Sequence, residues 1–388
     1  MNKQTEQRYD INIFFILFLF SVLSCMYIYF AQQLPQYNTN FALRQAVFFV
    51  IAFIVAFVIL HFDFEYYLHL SWILYGVGLL LLIILAIAPE SIAPPSKGAK
   101  RWFDLPVIGS FQPSEIMKIF MIILLSSIIY RHNQTYVNRS FHTDMMLLGK
   151  MLAVVAPPVF LLIQQPDMGM IMLTAAIFLA LLLVSGISYK IIAVITGIPA
   201  ILFALFLIAY WRFPALLERY VFSHMSDYQV RRFYGWLEPL KYADEGYQTA
   251  KSITLIGSGK LLGTDTGGYL PEAHTDFIFA IIGNVHGFAG AAFVITLYFV
   301  FIYLIVLIAL RCHHSFGRLL CAGVIGMFSF QVFQNIGMTI GLLPVTGFTL
   351  PFISYGGSSL VSSMIAVGIV LSVKYHSKNY MFSSSEGS

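Results

Sequence analysis

The sequence predicts an all-α integral membrane protein, with about ten transmembrane helices and one long extracellular loop between helices 7 and 8. Three observations predict it. Of 388 residues, 59% are hydrophobic and only 10% charged, and the mean hydropathy is +0.81; a soluble domain averages about 25% charged residues. Second, the apolar residues fall into runs near the ~20 residues that a spanning helix needs. Third, the runs lack the period-2 alternation of a membrane barrel, and open backbone is excluded from hydrocarbon, so helices are the spanning element.

Taken in order, the runs lie near Ile11–Phe30, Leu43–Leu60, Leu70–Ala88, Glu115–Tyr130, Met145–Ile163, Met168–Val184, Ile191–Tyr210, Phe277–Leu310, Leu319–Leu343 and Leu360–Val373. The first lacks a small-residue cleavage site and reads as a true helix rather than a signal peptide. The eighth exceeds one span, so it is tilted, kinked at Gly287 or Gly290, or a span with a protruding end. No internal repeat is evident, and residues 1–388 read as a single membrane domain with its long outer loop at about 211–275. Cys25, Cys312 and Cys321 lie in or beside apolar runs without metal-ligand spacing and read as inert thiols. The formal net charge is +4, and its placement matters more than its size.

Placing the N-terminus in the cytoplasm puts Lys3, Arg8, Arg131, Arg139, Lys150, Lys190, Arg311, Arg318, Lys374 and Lys378 inside. The remaining basic residues lie outside or in outer helix ends, so a bare count does not decide. Only short loops vote, and the loop Trp211–Thr275 holds Arg212, Arg219, Arg231, Arg232, Lys241, Lys251 and Lys260. Among short loops, the outer excess sits in Lys97, Lys100 and Arg101, with Lys118 in the next helix. Both termini are therefore expected to be cytoplasmic. The outer basic residues then suit an anionic ligand on that face.

Four segments carry unusual chemistry. Around Gly268–Phe279, Glu272, His274 and Asp276 sit at the mouth of the eighth run, with Thr275 as the expected N-cap. A carboxylate there gains from the helix dipole and free backbone N–H groups. Asp276 reads equally as a cap that keeps the helix end wet. In Phe111–Lys118, Pro113 fits a first helical turn, and Glu115 and Lys118 share a face three residues apart. An ammonium one turn into a span faces a cavity or a partner; the alternative is a pair that neutralises itself. Trp102 beside Arg101 is an interfacial belt residue or a sugar-stacking one, and the sequence favours the belt. In the turn Gln164–Gly169, Pro166 and Asp167 can start the sixth helix, with Asp167 as a capping carboxylate.

The long loop is aromatic and basic, running through Arg231, Arg232, Trp236 and Lys241 to Gly246, Gly257 and Gly259. A loop of that length tends to be functional, although no Walker pattern is present. Finally, Asn335–Gly347 and Leu350–Ser359 lead short polar and Gly residues, including Ser354, Gly356 and Ser358, into the tenth run. They offer a backbone anion site or small-residue helix packing.

Together these pieces resemble the SEDS family, the shape, elongation, division and sporulation proteins of the RodA/FtsW/SpoVE group. They stand in family order: Lys100-Arg101-Trp102; Gln112-Pro113-Ser114-Glu115 with Lys118; Gln165-Pro166-Asp167 with Gly169; Gly246-Tyr247-Gln248 with Gly257-Ser258-Gly259; Leu270 through Phe279; and Pro344-Val345 with Gly347, then Ile353 through Ser359. Pro344-Val345 and the short N-terminal tail are more similar to RodA than to FtsW. The resemblance implies a peptidoglycan glycosyltransferase of the bacterial plasma membrane, for cell elongation, division or sporulation. Its substrate would be lipid II, a disaccharide-pentapeptide on undecaprenyl pyrophosphate, and its partner a class B penicillin-binding protein.

By the same resemblance Asp276 is the general base. Arg101 and Lys118 stabilise the leaving diphosphate, Glu115 orients Lys118, and Arg231 and Arg232 are weaker candidates. Trp102, Gln112, Glu272, His274, Ser354, Gly356 and Ser358 complete the expected substrate site. No cofactor or metal-ligand cluster is evident and no nucleic acid is implied; a divalent cation on the pyrophosphate is compatible with this chemistry. Two departures stand out. Asn284-Val285-His286-Gly287 replaces the family's usual Glu-Glu-x-Gly, and the stretch from Gly263 to Leu270 is short. The lost acids leave a non-catalytic scaffold as one competing reading, and a lipid-linked precursor transporter is another. The inner halves of the helices look poor in charge, which counts against transport.

Overall fold

A computed structural model of the chain describes residues 10–37, 39–95, 99–105, 109–224, 227–239, 241–242, 246–264 and 268–377. Lys3, Arg8, Lys97 and Lys378 lie outside the described residues. The first seven runs each form one helix: α1 Ile11–Gln32, α2 Phe41–His61, α3 Phe64–Ile87, α4 Pro113–Thr135, α5 Phe141–Gln164, α6 Met168–Val184 and α7 Tyr189–Arg212. The long loop is not structureless. It folds into α8 Pro214–Tyr220, a 3-10 turn at Phe222–His224, α9 Asp227–Leu237 and α10 Tyr247–Ser258. Then follow α11 Ile278–Val285, α12 Gly287–Arg311, α13 Ser315–Thr339 and α14 Gly357–Ser377. Among the described residues, nine helices are at least 18 residues long and apolar enough to cross a membrane, and α6, at 17 residues, is a shorter apolar helix.

The starts and stops have local causes. Asp10 caps α1 through Asn12 N and Ile13 N, Asn40 caps α2, and Ser140 and Thr143 form a capping box on α5, each satisfying otherwise orphaned N–H groups. One element lies outside the helical framework. Phe103–Leu105 (β1) pairs antiparallel with Gly109–Phe111 (β2), Phe103 opposite Phe111.

The eighth run resolves into two helices broken at His286-Gly287. Gly287 has φ +60°, and a Cβ there would sit 2.6 Å from Leu261 O. A side chain is therefore excluded both by conformation and by close approach. The break is well supplied with hydrogen bonds. Phe288 N donates to Lys260 O at 2.9 Å and Ala289 N to Leu261 O at 3.1 Å, while Thr264 N donates to Asn284 O at 2.9 Å. The loop after α10 thus satisfies the N–H groups a fresh helix start leaves open.

α4 is the axis of the bundle. It packs on α3, α5, α6, α13 and α14, and its buried residues lie all round it, from Pro113 to His132. α14 packs along α2 and α13 along α6. The N-terminal end is tied together by ion pairs: Lys374 with Asp10, and Arg139 with Asp144 at 3.4 Å. Ser188 N also donates to Asp144 at 2.9 Å. The α5–α6 turn, the ribbon, the long loop and the α13–α14 connection gather at the other end. A separate aromatic cluster of Tyr210, Leu217 and Phe222, with Phe206 and Tyr234 against it, folds the α8–α9 segment onto the end of α7. That cluster is why the loop is helical: its aromatic residues have an apolar surface to bury.

Candidate active site

α4 begins as its sequence suggests, with Pro113 at the first helical position, where a missing N–H costs nothing. Glu115 and Lys118 then project into the bundle, 6% and 2% exposed. They form an ion pair, and Ser362 Oγ of α14 donates to Glu115 Oε2 at 2.6 Å. A charge at this depth persists only when paired and hydrogen-bonded. Both conditions are met here.

At the N-terminus of α6, Asp167 accepts from Met170 N at 3.3 Å, the capping role its position predicts. Its second oxygen accepts from Gln112 Nε2 at 3.3 Å. Burial pushes the Asp167 carboxyl above its usual range, opposed by the Arg101 guanidinium and the Met170 N–H, while the Glu115 charge pushes the same way as burial. Arg101 is anchored by its Nε to Gln165 O at 3.3 Å and by a terminal N–H to Pro166 O at 2.6 Å. Ser358, at the start of α14, completes this corner. It accepts from Gln112 N at 3.3 Å and donates to Ser110 O at 3.0 Å. The ribbon, α4, α6 and α14 therefore meet around Gln112.

Asp276 lies in the turn before α11. A Cβ built on Gly347, whose φ is +76°, would stand 3.5 Å from Asp276 Oδ2, so the carboxylate lies against that backbone. The backbone of the segment is clamped: Asn335 Nδ2 donates to Asp276 O at 2.8 Å and to Phe348 O at 2.6 Å, and Ser354 Oγ donates to Thr275 O at 2.6 Å. Gln334 Nε2 holds the facing turn through Pro344 O and Thr346 Oγ1, both at 3.0 Å. That turn also reaches α6, since a Cβ on Gly169 would lie 3.3 Å from Thr346 O. Packing is thus continuous from Asp276 through Gly347 and Thr346 to the α6 terminus that carries Asp167, and from there to Gln112 and Arg101.

Several residues fall differently from their sequence reading. Thr275 does not cap a helix: α11 starts at Ile278 after Phe277, and Thr275 Oγ1 bonds Glu272 Oε2 at 3.0 Å. The turn is closed by Phe277 N donating to Glu272 O at 3.1 Å, with Glu272 at φ +54°. His274 faces an aromatic nest, stacked on Phe41 with ring centroids 4.3 Å apart and flanked by Tyr37 and Tyr355. Burial lowers its pKa. Ser354 is buried and carries backbone geometry, accepting from Leu350 N at 2.7 Å. Gly356 packs tightly against Ser359 Oγ, and Trp102 is half-buried. Arg231 and Arg232 lie on α9.

Asn335, Gln334 and the second role of Asp167 were not singled out by sequence reading. Buried amides near a helix end were the available signal. The departure at Asn284 has a structural use. Its Nδ2 donates to Ser258 Oγ at 2.7 Å and Leu255 O at 3.3 Å, tying α11 to α10. An ionised carboxylate could not donate either bond.

The family of FtsW, RodA and SpoVE, described as cell cycle proteins, matches residues 7–379. The chain belongs to this family. Among similar family members, the peptidoglycan glycosyltransferase MrdB of Escherichia coli K12 is 35% identical over 308 residues, 77% of each chain. The probable peptidoglycan glycosyltransferase FtsW of Nitrosomonas europaea is 34% identical over 317 residues, 79% of this chain and 76% of that one. The fold resembles the rod shape determining protein RodA of Thermus thermophilus with TM-score 0.67 and 25% identity, covering 96% and 98% of the two chains. It also resembles a chain of a peptidoglycan synthase complex with TM-score 0.76 and 27% identity, covering 94% and 97%.

Proposed function

We propose that this chain is a peptidoglycan glycosyltransferase that polymerises lipid II into glycan strands at the outer face of the bacterial plasma membrane. It does so as one membrane domain with a class B penicillin-binding protein as partner. The 4-hydroxyl of one sugar attacks the anomeric carbon of the other. The new C–O bond forms as the bond from that carbon to the phosphate oxygen breaks, and the lipid pyrophosphate leaves with the bonding electrons. Asp276 takes the hydroxyl proton as general base. Arg101 and Lys118 meet the negative charge that develops on the leaving group, with Glu115 orienting Lys118. Attack opposite the leaving group turns an α-linked donor into a β-linked product.

The observation that carries this reading is the clamped Asp276 turn. Asn335 and Ser354 hold its backbone, and its carboxylate lies against Gly347 in a packed group continuous with Asp167, Gln112 and Arg101. A general base held this firmly loses little freedom when it acts. The Asp10–Lys374 pair puts the two ends of the membrane region on one face, opposite Asp276; the basic residues of the short loops support reading that face as cytoplasmic.

The test is polymerisation of lipid II by the purified protein, with and without its penicillin-binding partner. Wild type is expected to make glycan polymer, and Asp276→Ala to fall by at least about 10²-fold, at the low end of what a positioned base contributes. Polymer yield from Asp276→Ala equal to wild type would remove the assigned base.

A further inference from the structure

At the end of the bundle opposite Asp276, α3, α4 and α5 line an open-sided cavity of about 650 Å³. That is within the usual size of a small-molecule site. Its origin lies in α5. Pro157 and Pro158 stand inside the helix and cannot donate to the carbonyls one turn back, which loosens the helix there. Val154 O, deprived by Pro158, is satisfied by Tyr75 OH of α3 at 2.7 Å. Ala153 O loses the corresponding donor to Pro157, and Ala153 lines the cavity.

The walls and the rim differ in chemistry. Leu79, Ile128, Val154 and Pro157 make an apolar wall, while Arg131, His132 and Lys150 line the end nearest the α4–α5 connection, and no Asp or Glu is among the lining residues. Neither cation has an ion-pair partner among the described residues. Arg131 donates one terminal N–H to Leu68 O at 2.9 Å; Lys150 lies over the Tyr136 ring, 6.0 Å from its centroid. Both are exposed. His132 is only 4% exposed, yet its Nδ1 has no hydrogen-bond partner. A buried polar atom without a partner is costly wherever it lies, and this one is sealed in the protein behind the cavity wall.

Access is from the side. Trp72, Ala153 and Pro157 lie on exposed faces of α3 and α5, which the bilayer would cover. We propose that this cavity is a binding site for an anionic phospholipid, whose phosphate is held by Arg131 and Lys150 and whose acyl chain lies along Leu79, Ile128 and Val154. Two exposed cations above an apolar wall match a phosphate joined to a hydrocarbon chain. None of these residues belongs to the candidate active site.

Native mass spectrometry of the full-length protein released from detergent tests the site. Short-chain phosphatidylglycerol, phosphatidylcholine and inorganic phosphate are added separately. Phosphatidylglycerol is expected to be retained over phosphatidylcholine, and the double variant Arg131→Gln/Lys150→Gln to lose that preference, by roughly fivefold for each cation. Ala153→Trp fills the cavity without changing charge and is expected to displace the lipid, which keeps the test decisive if the double variant does not fold. Equal retention of the two phospholipids, or unchanged retention in a folded variant, overturns the proposal. Inorganic phosphate binding as tightly as phosphatidylglycerol overturns its lipid half.

Discussion

α4 and α7 are both apolar helices of spanning length, and they live in different solvents. Of the apolar stretch of α4, 83% is buried inside the protein, against 11% for α7. α4 is nevertheless the less apolar of the two. It carries Glu115, Lys118, Ser126 and Ser127 in its buried set, whereas α7 buries only Ile191, Ile192 and Tyr210. Among the described residues, the substantial helix contact of α7 is with α8. Of these two, the more hydrophobic helix is the one left to face lipid. Hydrocarbon tolerates no unpaired polar group, while a protein interior accepts one that finds a partner, as Glu115 finds Lys118 and Ser362.

Lys118 separates the two helices most. Lys118→Ala leaves Glu115 buried without its cation and is expected to cost about 3–5 kcal/mol, read as a lower melting temperature in detergent. Replacing both residues, Glu115→Leu with Lys118→Leu, is expected to restore most of that stability and still abolish polymerisation. A single variant that melts with wild type would mean the pair is not desolvated. A smaller effect separates the helix interiors. Leu124→Ala, at a position 0% exposed on α4, is expected to lose about 2–5 kcal/mol. Leu202→Ala, 61% exposed on α7, is expected to stay within about 0.5 kcal/mol, because lipid fills the space. Similar losses at both sites would refute the assignment of α7 to the periphery.

Two pH effects are expected from buried groups outside the spans, Asp167 and His274. The Asp167 pKa is raised by burial from 3.8. Between 3.8 and the raised value the folded protein holds a proton that the unfolded chain has released, so stability falls as pH rises through that window. Asp167→Asn removes the titrating group, and its melting temperature is expected to decline less than wild type over the same range. His274 has the opposite sign. Its pKa is lowered from 6.5 by burial, so its contribution is present above 6.5 and is lost as pH falls toward the folded value. His274→Phe, which preserves the stack on Phe41, is expected to flatten that acid-side loss. Parallel melting curves for wild type and variant would remove the titration from His274.

Much of the membrane framework was legible because each span is long and needs no distant partner. The edges of α1, α2 and α6 fall within a few residues of their runs, and Pro113 and Asp167 mark helix starts through local chemistry alone. The functional segments were legible as motifs, but their roles were not. Ser354 and His274 stand beside Asp276 in the chain or the motif set. One proves to be a backbone clamp and the other an aromatic packing group, since a side chain's orientation depends on helices far away in sequence. The loop helices α8 to α10 were missed because their apolar faces are matched by α7 and α11, not by themselves.

Hydropathy and capping act over a few residues, so the chain alone shows that this protein spans a membrane many times and carries acids and bases at particular helix mouths. The break of the eighth run at Gly287, the closing of Asn335 and Gly347 around the Asp276 turn, and the pairing of Glu115 with Lys118 beneath Ser362 emerged only in the folded arrangement. Each of those depends on which backbone comes within hydrogen-bonding distance of which side chain, and that distance is set by packing between segments far apart in the chain.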